Sequence, residues 1–335
     1  MLSGPFAMKR FAHCVTVVAA VLASAGAVAW CAAQADRANL FPKFSVGQVF
    51  RYRIGYRADT RSDTASSVVA PMAPTGSHTD VQLRLLGEVT DFRLDAGRPL
   101  TRLRLRIADG DSATLLPVPS SADAAQSTGA RHQETAPNYS TVELSLHADG
   151  QISDTSGLDK LSPDERAAWQ EWLSRFAAAG VYPEKGVKPG DKWKAEEAIP
   201  SAILAALFWE KESQYVHDAP CGATEVTAQG DPAGTARAEE TCAVILTTAT
   251  LKQKSSSKDA TPEDYKLHDL RTMGTASGRN DAISYISLKT GLLVRATEDG
   301  HQKMEATVTK SDGSNRVHYK IEAESHVQVL LLATR

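Results

Sequence analysis

Several segments of this chain alternate apolar and polar residues with a period of two, and that pattern constrains the fold more than any other feature. Phe50, Tyr52, Ile54 and Tyr56 fall on one side of a run whose other side carries Arg51 and Arg53. Val81, Leu83 and Leu85 alternate with Gln82 and Arg84, and Leu103, Leu105 and Ile107 with Arg102, Arg104 and Arg106. Val142, Leu144 and Leu146 repeat the pattern against Thr141, Glu143 and Ser145. Such alternation specifies strands with one buried and one wet face, the mark of antiparallel sheet. The same reading applies to Cys242–Leu251, to the stretch around Ile283 and Tyr285, to Leu292–Thr297, to His301–Thr309 and to Val317 onward. Turns are expected at Lys289-Thr290-Gly291, at Asp299-Gly300 and at Ser311–Asn315.

One helix stands apart. Ser162 is placed as an N-cap, Pro163 suits the first helical position, and Glu165 completes a capping box. Trp169, Trp172, Leu173 and Phe176 then form one apolar stripe that Gly180 ends. The expected fold is mainly β with one amphipathic helix (α+β), its antiparallel meanders forming one or two curved half-barrel modules. Residues 36–160 form a first β-module and 201–335 a second. Residues 161–200 supply the helix and a turn-rich connector. The segment 201–209 reads equally as helix or buried strand. Residues 58–80 and 108–138 are polar and rich in Ser, Thr, Ala and Pro, and are expected to be flexible loops.

Residues 1–35 read as an address. Lys9 and Arg10 precede an uncharged, Ala- and Val-rich run that ends in Ala33-Gln34-Ala35. A basic start, an apolar stretch and an A-x-A site make a secretory signal, cut before Asp36. An uncleaved anchor is the competing reading. Lipidation at Cys31 is disfavoured by the bulky Trp30 beside it. Cleavage takes the net charge from −3 to −5, a poor balance for nucleic-acid binding. It leaves Cys221 and Cys242 as the remaining cysteines, and an even pair in an exported chain is expected to form a disulfide.

No G-x-S-x-G, H-E-x-x-H, Walker A, G-x-G-x-x-G or C-x-x-C motif is present. His318, Glu322 and His326 share one strand face but are too widely spaced to hold an ion unaided by residues such as His301 or Glu305. The alternating arginines read as the solvent face of a sheet rather than as an anion patch, because the chain as a whole is acidic. The expectation is a non-enzymatic protein with no catalytic residues, no metal and no cofactor.

Several short motifs bear a resemblance. They are Gly47–Tyr52 (G-Q-x-F-R-Y), Asp149–Ser153 (D-G-x-I-S) and Pro183–Trp193 (P-x-K-x-V-K-P-G-D-x-W). In this order, between a signal and a second meander, the chain resembles uncharacterised exported bacterial β-rich proteins with a lipoprotein-carrier-like half-barrel. The resemblance implies the half-barrel shape alone; the signal implies a periplasmic or extracellular location, and a curved sheet covered by one amphipathic helix leaves an apolar concavity between them. Phe50, Tyr52, Ile54, Leu103, Leu105, Trp169 and Trp172 are then the candidate ligand-binding residues. A lipid, acyl chain or other hydrophobic envelope molecule is the candidate ligand. The alternative is a structural or interaction module whose partner is another envelope protein and whose core those side chains fill.

Overall fold

All eleven strands lie antiparallel in one open sheet, so the alternating segments share a single architecture. The computed structural model describes residues 37–67, 74–95, 97–109, 140–147, 152–162, 166, 169, 173, 182–199, 201, 203–222 and 240–334. Residues 1–36, Trp172 and the segments 110–139 and 223–239, on which the signal, one helix residue and a long-loop expectation fall, lie outside the described residues. The strands are β1 (Val49–Ser66), β2 (Thr75–Asp95), β3 (Arg98–Asp109), β4 (Ser140–His147), β5 (Ile152–Ser156), β6 (Lys192–Ile199), β7 (Leu207–Pro220), β8 (Thr241–Gln253), β9 (Leu270–Ser287), β10 (Leu293–Lys310) and β11 (Val317–Thr334). A short helix, α1 (Glu263–Leu267), precedes β9.

The strand order is β5-β4-β3-β2-β1-β11-β10-β9-β8-β7-β6. Each strand pairs with its neighbour in sequence, except that β1 pairs with β11 along nearly its whole length, from Phe50↔Thr334 to Ser66↔Val317. That one non-local pairing joins the two meanders into one sheet. It also leaves two consecutive strands, β5 and β6, at opposite edges. The connector between them must therefore travel from one edge of the sheet to the other. Arg166, Trp169 and Leu173 are helical within it, and the Arg166 N–H donates to the Ser162 carbonyl at 2.9 Å. Trp169 is buried against the same core that the sheet's inner face supplies. Both edges are short, and β6 carries Lys192, Lys194, Glu196 and Glu197, features that discourage edge-to-edge pairing.

Two expectations are corrected by the strand register. Residues 58–66 and 75–80 are not loops but the paired outer ends of β1 and β2. Polar side chains hold this extension: Arg57 bonds Asp80 at 3.0 Å and Asp59 bonds His78 at 2.7 Å. Asp299-Gly300 is not a turn, because β10 runs straight through it. A Cβ on Gly300 would stand 2.6 Å from Ser325 Oγ and 2.7 Å from Asn280 Oδ1, so the glycine serves close approach of the flanking strands. The strand expected around Ile283 and Tyr285 extends back to Leu270 as β9. The undecided segment 201–209 resolves into bends followed by the start of β7. The expected turn at Gly291 is present, with φ +67°. A Cβ there would stand 2.0 Å from the Phe41 carbonyl oxygen.

Cys221 and Cys242 are disulfide-bonded, and Cys242 is fully buried in the main core. Among the described residues no helix is long and apolar enough to cross a membrane.

Candidate functional site

Alternation along each strand gives the sheet two faces with different contents. The inner face carries Phe50, Tyr52, Ile54, Leu103 and Leu105, and Trp169 of the connector packs onto them, each 0% exposed. These residues pack on one another and on side chains from the second meander, including Ile245, Ala296 and Val329. Phe50 meets Tyr52 edge-on at 5.8 Å between ring centroids, and Phe44 lies 6.2 Å from Phe50. The Tyr52 hydroxyl donates to the buried Leu293 carbonyl at 2.7 Å, which satisfies the one polar atom this ring brings into the core. Phe50 lies directly opposite Gly87, and a Cβ there would stand 2.1 Å from the ring. The glycine is the space into which the phenyl ring packs. Six of the seven residues singled out in the sequence are thus together, and Trp172 lies outside the described residues.

A second, smaller core sits on the same face toward the other end of the strands, built from Leu204, Leu207, Trp209, Leu251 and Ala306. In the main core, Tyr215 is buried and donates to the Asp218 carboxylate. Burial pushes the Tyr215 phenol far above its ordinary range, and the neighbouring carboxylate adds to the shift.

The outer face opens into a half-open pocket of about 430 Å³ at the junction of β1, β2, β11, β10 and β9. The register explains its composition. Across one row, Arg84, Arg53, Leu330, Arg295 and Tyr285 lie directly opposite one another. The next row carries Gln82, Gly55, Gln328, Thr297 and Ile283. Gly55 has no side chain to fill the middle of the second row, and the pocket forms over it. The Arg295 guanidinium is stacked on the Tyr285 ring, 3.6 Å from its centroid, an arrangement that fixes the cation's position.

Sequence reasoning missed this site. The arginines were visible, but the convergence of Arg53 with Arg295 depends on β11 lying between β1 and β10. Elsewhere on the sheet, Arg102 and Arg104 face Glu143, at 3.7 and 3.6 Å. His318 and His326 are drawn to different carboxylates, Glu305 at 3.5 Å and Asp299 at 2.7 Å. No group of three metal-ligating side chains occurs among the described residues.

No protein-family model matches the chain, and no curated protein does. Among solved structures, it is similar to a candidate lipoprotein from Parabacteroides distasonis ATCC 8503, at a TM-score of 0.28 and 8% identity. The overlap covers 90% of this chain and 100% of that one. Likeness this loose transfers neither ligand nor role.

Proposed function

We propose that this chain is an exported, non-enzymatic protein of the cell envelope, and that it binds a ligand with a hydrophobic part on the outer face of its sheet. One contrast carries the reading. The inner-face residues are wholly buried against each other, whereas the outer face holds a pocket of ligand size with Ile283, Tyr285 and Leu330 in its wall. Small-molecule sites combine an apolar wall with a few polar groups, and this pocket has both. The inner residues then act as the packed support on which the outer pocket is held. An acyl chain or similar envelope molecule remains the candidate ligand. The signal-like start and the disulfide support export, and the absence of catalytic motifs supports a role without chemistry.

Binding of a fluorescent hydrophobic probe tests this reading. The wild-type protein is expected to bind it saturably, and Ile283→Asp is expected to weaken binding at least tenfold with the urea midpoint little changed. Ile283 is half-buried on the outer face, so a carboxylate there meets ligand more than core. Absence of saturable binding by the wild type would leave the alternative, an interaction module with a filled core, as the better account.

A further inference from the structure

We propose that the outer-face pocket takes an amphiphilic anion, its charged head between Arg53 and Arg295 and its chain laid along Leu330, Ile283 and Leu246. The inference rests on the binding reading above and names the chemistry of that site.

Charge is the first argument. Arg53 lies directly opposite Arg84 on β2, and Leu330 alone separates it from Arg295 on β10. Adjacent strands are about 4.8 Å apart, so the Arg53 and Arg295 backbones stand about 10 Å from each other, within reach of two long side chains converging on one head group. Like charges directly opposite across a strand pair destabilise a sheet. A bound anion would relieve that repulsion. Arg53 is exposed and has no ion-pair partner among the described residues. No carboxylate stands in its row or in the adjoining Gln82–Ile283 row. The carboxylates one row further on are already engaged: Asp80 with Arg57, Asp299 with His326 and Asp281 with Arg279. Arg53 is therefore a cation without a neighbouring carboxylate at the pocket wall, in a chain that is acidic overall.

Shape and polarity supply the second argument. Gln82 and Gln328 flank Gly55 and offer amide donors to a head group. Beyond them Leu246 lies opposite Ile283 on β8 and is 45% exposed, one of few large apolar side chains left in water. Ile283 and Leu246 form a short apolar strip next to Thr297 at the rim of the notch, which matches a molecule with one charged end. A free inorganic anion would leave the strip unused.

Calorimetric titration below the critical micelle concentration tests the proposal with four probes: dodecanoate, dodecyl phosphate, an uncharged dodecyl glycoside and inorganic phosphate. Both amphiphilic anions are expected to bind at least tenfold more tightly than the glycoside, and less tightly as salt is raised. Whichever anion binds better identifies the head group. Arg53→Gln is expected to lose about tenfold in anion affinity, the scale of one charge-assisted hydrogen bond. Gly55→Leu keeps every charge and fills the notch, and is expected to abolish anion binding. A Cβ at Gly55 meets only the movable end of Gln82, at 3.0 Å, so this variant should fold, and its urea midpoint verifies that. Equal binding of glycoside and anions would overturn the head-group inference while the hydrophobic site stands. Inorganic phosphate binding as tightly as dodecyl phosphate would overturn the amphiphile. Failure of all four would remove the binding reading itself.

Discussion

Replacing Trp169 with alanine is expected to destabilise the protein by about 3–5 kcal/mol, the range for truncating a fully buried large aromatic. Trp169 is helical, 0% exposed, and in the same core as Phe50, Tyr52 and Leu103. It lies on the connector that crosses from one edge of the sheet to the other. Its removal leaves a cavity between connector and sheet and weakens the connector's attachment. Urea denaturation of wild type and variant measures the loss. Probe binding at the outer pocket is expected to persist wherever the variant remains folded, because Trp169 is on the other side of the sheet. A loss well under 2 kcal/mol, accompanied by weaker probe binding, would show that the indole faces ligand rather than core.

The disulfide carries the second large effect. Cys221 and Cys242 are 21 residues apart, and closing a loop of that length is worth about 3 kcal/mol in the chain-entropy model. The bond also ties the end of β7 to the start of β8, beside a buried hydrogen bond from the Cys221 N–H to the Glu240 carbonyl at 2.7 Å. The Cys221→Ala, Cys242→Ala double variant is expected to lose roughly that stability. Protein lacking residues 1–35, taken from an oxidising compartment and unfolded without reductant, should show no titratable thiol. Two free thiols per chain, or a double variant as stable as wild type, would contradict the assignment.

The inner face was legible in the sequence because period-two alternation reports burial on one side. Phe50, Tyr52, Ile54, Leu103 and Leu105 all fall where that pattern puts them. The pattern fails where neither face is fully buried. The ends of β1 and β2 beyond Tyr56 and Val81 are held by backbone pairing and by ion pairs such as Arg57–Asp80, so they read as loop. Local signals also mislead where a partner strand sets the conformation. Asp299-Gly300 has turn composition, yet Ser325 and Asn280 crowd it from both sides within the sheet. The outer pocket was the least legible feature. It depends on the first strand meeting the last, a pairing between residues more than 250 positions apart, which no local pattern encodes.

The central claim is that the two faces divide the work, with support inside and ligand outside. Photolabelling with a diazirine-bearing fatty acid, followed by peptide mass spectrometry, tests it most directly. The account predicts label, competed by unmodified dodecanoate, on the outer-face residues Ile283, Tyr285, Leu330 and Leu246. Competed label on Phe50, Leu103, Leu105 or Trp169 would contradict it and place the ligand in the space between connector and sheet.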